Sequence, residues 1–202
     1  MKLFKYSDHE EYIKAQKEGI YNHRSVSDNV NYEWIQKSEV EFLQKDVIEP
    51  HFRERNHSPK HGICHGAKLG KENVWFQDVT KFEWIGTDLV IESDEKMNLI
   101  NWDFHEIKPE WKEKFDVVYS NSLDHSYDPE KALKRWFQCL NNNGICIIEH
   151  SDNDTYNNET DPFGATFDEY KKLIEKCNGV VLKTPKLFSN RHKQYLIIEN
   201  KK

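Results

Sequence analysis

Residues 115–150 constrain the fold most. "FDVVYSN" is a strand apolar enough to be buried on both faces, and "ICIIEH" is a second strand of the same kind. An amphipathic helix lies between them. Asp128 stands where it caps that helix and Pro129 falls in its first turn, with Ala132, Leu133, Trp136, Phe137 and Leu140 along one face. The "NNNG" run reads as the turn into the second strand. The same alternation starts at residue 60. "HGIC" is a strand followed by a helix through Val74, Trp75 and Val79; "FEWIGTDL" and the short "NLINW" are the next strands. Only nine residues separate Asp88 from Asn98, so a single helical turn or none is expected there. Thr166 and Glu169 have capping-box spacing ahead of Tyr170, Leu173, Ile174 and Cys177. "GVVLKT" and "YLIIEN" then close the chain as an antiparallel hairpin. The expected fold is α/β: a mostly parallel, seven-stranded, doubly wound sheet with a terminal antiparallel hairpin and a helical N-terminal extension.

Residues 1–59 form that extension, a lid or a substrate or dimer contact on the domain at 60–202, not a separate domain. Ser7 and Glu10 have capping-box spacing, with Gly19 as a helix stop. Val30, Trp34 and Ile35 mark a second helical stretch. Ser38 and Glu41 repeat the spacing ahead of Phe42, Leu43, Val47 and Ile48, and Pro50 with "RERNHSPK" closes the region. Tyr21, Tyr32, Trp34 and Phe42 supply aromatic surface for a lid or substrate pocket, or for a packing layer or dimer contact.

Composition narrows the class of protein. Aromatic residues at 13% argue against disorder. The balance of 29 basic and 35 acidic residues gives −6 and no basic stripe, which argues against nucleic acid as a partner. No apolar run reaches membrane-spanning length and the N-terminus does not read as a signal peptide, so a cytoplasmic protein is expected. Cys64, Cys139, Cys146 and Cys177 form no C-x-x-C pair and read as reduced thiols.

In open parallel sheets ligands bind beyond the carboxyl ends of the strands, so the residues there carry the information. They are Cys64, His65 and Gly66 after the first strand, Asp88 after the second and Asp103, Phe104 and His105 after the third. Asn121, Asp124 and His125 follow the fourth, and Glu149 and His150 end the fifth. Asp88 lies 22 residues after Gly66, a spacing that suits a carboxylate accepting from ribose hydroxyls; a turn cap is the alternative. Gly66 either admits a cofactor or supplies a positive φ. Asp103 and Phe104 suit an adenine amino group and ring, or are a turn aspartate and a core phenylalanine. Neither G-x-G-x-x-G nor G-x-x-x-x-G-K-[ST] is met, which disfavours a dinucleotide and excludes a P-loop.

From Gly62 to His150 the chain resembles a class I S-adenosylmethionine-dependent methyltransferase. "FDVVYSNSLDHSYDPEKALKRWFQCLNNNGICIIEH" is similar to that family's fourth-strand block, and "HGICHGAKLG" resembles its first motif. Two departures stand out: Gly62 or Ile63 occupies the place of the usual acidic residue, and Cys64 replaces a glycine. The resemblance implies S-adenosylmethionine as cofactor, held by Cys64, His65, Gly66, Asp88, Leu89, Asp103, Phe104, Asn121 and Ser122. It implies transfer of a methyl group, here to a small-molecule or carbohydrate-like acceptor, at oxygen by expectation. The irregular first motif keeps a non-catalytic partner or regulatory subunit as the alternative.

Transfer to a hydroxyl is helped by a general base, and histidine suits neutral pH. His125 is the first candidate, with Asp124 as its orienter, and His150 the second. A rival set for a divalent metal is His65, His105, His125 and His150, with Asp88, Asp103, Asp124 and Glu149 nearby. No pair has the local spacing of a structural zinc site, and no metal is assigned. The long polar loop "SDNDTYNNETDPFGATFDEY" is placed to shape the acceptor site.

Overall fold

Strands buried on both faces need a helical layer on each side, and the computed structural model shows how this chain supplies both. It describes residues 1–26, 34–186 and 193–201. In chain order the elements are β1 (Lys2–Leu3), α1 (His9–Val26), α2 (Lys37–Leu43), a π-helical turn (Gln44–Ile48), α3 (Glu49–Glu54), β2 (His61–His65) and α4 (Lys71–Thr80). Then come β3 (Glu83–Asp88), β4 (Leu99–Asn101), β5 (Phe115–Ser120), α5 (Pro129–Cys139), β6 (Leu140–His150), β7 (Phe163–Gly164), α6 (Phe167–Lys176), β8 (Gly179–Lys183) and β9 (Gln194–Asn200). The seven-stranded sheet has the order β4-β3-β2-β5-β6-β9-β8. Its strands are parallel except β9, which runs antiparallel between β6 and β8. The expected architecture is the observed one.

Alternate side chains of each strand feed opposite layers, as a period of two requires. Ile63, Val118, Cys146, Ile148, Leu196 and Ile198 meet α5 and α6 through Leu133, Trp136, Tyr170 and Ile174. Cys64, Val117, Tyr119, Ile145, Ile147 and Ile197 meet the other layer. That layer is α4 together with α2, the π-helical turn and α3, whose Val40, Leu43, Ile48 and Phe52 are at most 2% exposed. Residues 34–54 are therefore a core layer of the same domain, not an appendage.

Several local expectations shift. α1 is initiated by Asp8, whose Oδ1 accepts from the Glu11 backbone N–H at 2.9 Å, and it runs through Gly19. The second capping pair is Gln36 with Glu39: the Gln36 backbone N–H donates to Glu39 Oε2 at 2.6 Å. Pro50 does not end the helix. The π-helical turn before it widens the ladder where proline offers no N–H, and the chain leaves the helix only at Asn56, with φ 50°. "NNNG" is not a turn but a bulge within β6, where the partner of β5 jumps from Leu140 to Ile145. The long loop after β6 carries a 3₁₀ turn (Asp152–Thr155) and β7, which pairs antiparallel with β1. Between Asp88 and Asn98 there is one 3₁₀ turn (Glu95–Met97), as the short spacing implied. Val30, Tyr32 and the side chain of Tyr21 lie outside the described residues. Among those described, no helix is long and apolar enough to cross a membrane.

The sheet tolerates little change beside its first strand. A Cβ on Gly62 would lie 2.4 Å from Trp84 Cδ2, in ring atoms that are themselves buried under α4. Gly62→Ala is expected to lower stability by about 1–3 kcal/mol, as overpacking does. Urea denaturation checks this; an unchanged midpoint would show that the strand and Trp84 separate freely.

Candidate active site

The strand order reverses between β2 and β5, which run parallel with His65 opposite Ser120. Polar groups converge just beyond. Gly66 adopts φ 73°, and a Cβ there would meet Ser122 Cβ and Oγ at 2.5 Å. Both the conformation and the contact thus demand glycine. Ser120 Oγ donates to His65 O at 2.9 Å and Ser122 Oγ to Asn121 Oδ1 at 2.9 Å. Asn121 Nδ2 donates to Glu72 Oε1 at 2.7 Å, joining this loop to the first turn of α4.

Asp88, 9% exposed, ends β3. Its Oδ2 accepts from Lys68 N at 2.9 Å and its Oδ1 from Val90 N at 3.0 Å. Burial raises its carboxyl, against the backbone N–H groups of Val90, Lys68 and Ile91 and the nearby His125. Leu89 beside it is half-buried, and its carbonyl accepts from Asn101 Nδ2 at 2.8 Å. Asp103 follows β4. Its Oδ1 meets the His105 ring Nδ1 at 2.6 Å and its Oδ2 meets His9 Nε2 of α1 at 3.1 Å. Burial pushes the Asp103 carboxyl up, but the His105 bonds outweigh it and hold it at about 2. His105 is fully buried, bonds Ser126 Oγ at 2.7 Å through Nε2, and stacks on Tyr127.

The remaining predicted residues are more deeply committed to packing. Cys64 is a core side chain whose thiol is raised well above its usual range by burial. Phe104 packs edge-on against Trp136, whose indole N–H donates to the Phe104 carbonyl at 3.1 Å. His65 stacks on Trp136 with its Nδ1 2.8 Å from Thr87 Oγ1, and its Nε2 is buried without a partner. His150 bonds Ala165 O at 3.0 Å and lies against Tyr170. Glu149 is taken up by Lys193 at 3.1 Å and by the Tyr119 hydroxyl at 3.2 Å; burial raises it to about 7.

His125 differs. Its Nδ1 lies 3.0 Å from Thr160 O and 3.0 Å from Gln16 Oε1, and its Nε2 has no hydrogen-bond partner among the described residues. The four histidines of the rival metal set are not brought together: among the described residues the one group with ligand atoms in mutual reach is Asp124, His125 and Asp161. The sequence reading missed Asp161, Thr160 and the polar face of α1. That face was legible, because His9, Tyr12 and Gln16 recur at spacings of three and four. Tyr12 donates to His125 O at 3.0 Å and Gln16 Nε2 to Thr160 O at 2.8 Å, so α1 lies across the carboxyl edge of the sheet.

The fold, with its switch point and its antiparallel β9, is that of the class I S-adenosylmethionine-dependent methyltransferases. Residues 83–148, from β3 into β6, match the model of a family described as a methyltransferase domain. Over those residues the chain is similar to that family, and solved structures that share its fold include methyltransferases bound to S-adenosylmethionine or S-adenosylhomocysteine. A similar solved structure is the 1,6-didemethyltoxoflavin-N1-methyltransferase of Burkholderia thailandensis, bound to 1,6-didemethyltoxoflavin and S-adenosylhomocysteine. It is 13% identical, with a TM-score of 0.71 over 98% of this chain and 93% of that one. The plantazolicin methyltransferase BpumL, in complex with S-adenosylhomocysteine, is 13% identical, with a TM-score of 0.67 over 95% and 96%. Magnesium protoporphyrin IX methyltransferase of Synechocystis PCC 6803, with bound S-adenosylmethionine, is 8% identical, with 0.64 over 98% and 100%. No curated protein matches the sequence.

The donor set fits that cofactor. The Asp88 carboxylate is oriented by backbone N–H groups of Lys68, Val90 and Ile91, and two oxygens with four lone pairs between them leave capacity for a ribose hydroxyl. Gly66 lets the backbone of the turn come close where a side chain cannot stand.

Burial holds the His65 imidazole down to about 3, so it is neutral in the folded chain while the unfolded chain takes up a proton below about 6.5. Stability is therefore expected to fall as pH drops from about 6.5 towards about 3, by on the order of 4 kcal/mol from this residue. Buried His105, also lowered, acts in the same direction. Urea midpoints at pH 7, 5 and 4 should fall less steeply for His65→Asn than for the parent chain; equal slopes would show that His65 titrates normally.

Proposed function

We propose that the chain methylates an oxygen of a small-molecule or sugar-like acceptor, with His125 as general base and Asp124 beside it. The observation that carries this reading is the state of the His125 ring. An Nδ1–H shared between Thr160 O and Gln16 Oε1 fixes the tautomer that leaves Nε2 as a lone-pair acceptor, at the end of the strand bordering the switch point. Burial lowers the imidazole, but the carboxylates of Asp124 and Asp161 more than offset it, and the net direction is up. Asp124 itself is raised to about 7, by burial first and then by Asp154 and Asp161, against the pull of His125.

When bound, S-adenosylmethionine supplies an electrophilic methyl on a sulfonium leaving group. The chain's own part is to hold the acceptor in line, exclude water and take its proton at His125 Nε2. α1, joined to the sheet edge through His9, Tyr12 and Gln16, serves as the lid. The similar solved structures named above include a 1,6-didemethyltoxoflavin-N1-methyltransferase and a magnesium protoporphyrin IX methyltransferase, which supports an acceptor of small-molecule size.

The test is a screen of hydroxyl-bearing small molecules for S-adenosylhomocysteine formation, repeated with His125→Ala. Turnover is expected to fall by about 10²–10⁴-fold while S-adenosylhomocysteine affinity stays unchanged. Rates should rise with pH through the raised imidazole value, since the base acts only when deprotonated. Unchanged turnover in His125→Ala would remove the base, and methylation only of amines would remove oxygen as the acceptor atom.

A further inference from the structure

We infer that the cavity between the N-terminal segment and the loops after β4 and β5 binds a small organic cation, a protonated amine or quaternary ammonium group on an apolar body. Its volume is about 630 Å³, within the range of small-molecule sites. Four aromatic rings line it: Phe4, Tyr6, Tyr12 and Tyr127. They form one edge-to-face chain, with ring centroids 5.1 Å apart for Phe4 and Tyr6, 5.3 Å for Tyr6 and Tyr12, and 4.7 Å for Tyr12 and Tyr127. In each pair one ring meets the other with its edge, so its own face is not covered by that contact. Ring faces carry negative charge density and attract an ammonium group.

The charged lining has the same preference. Asp8, Asp103 and Glu106 share it with one lysine, Lys5, and with His9. Asp103 is steadied by His105 and His9, and Glu106 by Lys131, which lies outside the lining. The Tyr127 hydroxyl is raised by burial first and then by Asp103, Glu106 and Asp128, the direction a negative potential imposes. An anion is therefore disfavoured here and a cation favoured. A bare metal ion does not suit the space, which is far larger than one ion. Among the described residues these three carboxylates form no group with ligand atoms in mutual reach.

Most of the aromatic wall comes from residues outside the stretch that resembles the methyltransferase family. The ribbon of β1 and β7 brings them to the sheet edge: Lys2 lies opposite Gly164, and the Phe4 backbone N–H donates to Pro162 O at 2.7 Å. Tyr12 belongs to two places at once. Its ring lines the cavity, while its hydroxyl donates to the His125 carbonyl at 3.0 Å. The cation's site thus adjoins the loop that carries His125.

Calorimetric titration with benzyltrimethylammonium tests this, with benzyl alcohol and phenylacetate as the neutral and anionic controls. Neither methyl donor nor acceptor is present, so failure here leaves the transfer reading standing, and the reverse also holds. The expected result is one ammonium ion per chain with a Kd below ~1 mM, and binding of both controls weaker by about tenfold or more. Tyr6→Leu should weaken the ammonium ion by about threefold or more, while Tyr6→Phe, which keeps the ring, should not. Asp8→Asn, which keeps a side chain able to cap α1 and removes only the charge, should weaken it by about twofold or more. Tyr156→Leu removes a 71% exposed ring outside the cavity and should change nothing. Circular dichroism checks the fold of each variant. No binding up to ~10 mM, equal binding of the three probes, or binding that folded Tyr6→Leu and Asp8→Asn both leave unchanged overturns the site.

Discussion

The parallel pairing of β2 with β5 is the constraint from which the rest of the molecule follows. It sets two strands side by side whose connections leave in opposite directions, β2 towards β3 and β4, β5 towards β6 and β9. A crevice must open between the two departing loops, and the chain builds its polar groups there. The crevice is narrow: Gly66 and Ser122 touch so closely that neither the φ of 73° nor the available space admits another residue. Asp88, Asp103 and His125 are ordered around that contact because they follow β3, β4 and β5.

Much of this was legible in the sequence because strand burial writes itself as composition. "FDVVYS" and "ICIIEH" are mostly apolar and are buried throughout apart from their bulged approach. The Asp128–Pro129 start of α5 and the Thr166–Glu169 box of α6 are local signals, and both stand where they were read. Less legible was whatever depended on distant partners. Asp116, in the middle of the family-like "FDVV", is no site residue; it accepts from Lys60 N, His61 N and Asn141 Nδ2 and ties the entrances of β2 and β6 together. Histidine type alone could not separate His65, which stacks on Trp136 and bonds the Thr87 hydroxyl, and His150, which bonds a backbone carbonyl, from His125. The difference lies in Thr160 and Gln16, 35 and 109 residues away.

The N-terminal segment joins fold to function. α2 and α3 cover one face of the sheet, so they are needed for folding. α1 is held to the edge by hydrogen bonds to Asp103, His125 and Thr160, and by the β1–β7 ribbon. Each of those bonds meets a residue or loop of the candidate site. α1 thus contacts the loops that carry Asp103 and His125 at the same time.

The central claim is that this crevice holds S-adenosylmethionine through Asp88. Calorimetric titration with S-adenosylhomocysteine, for the parent chain and for Asp88→Ala, tests it most directly. Micromolar binding by the parent, weakened by about tenfold or more in the variant, is the predicted result, since a charged group's hydrogen bonds contribute about 1.5–3 kcal/mol. No binding by the parent chain, or equal binding by both, would contradict it.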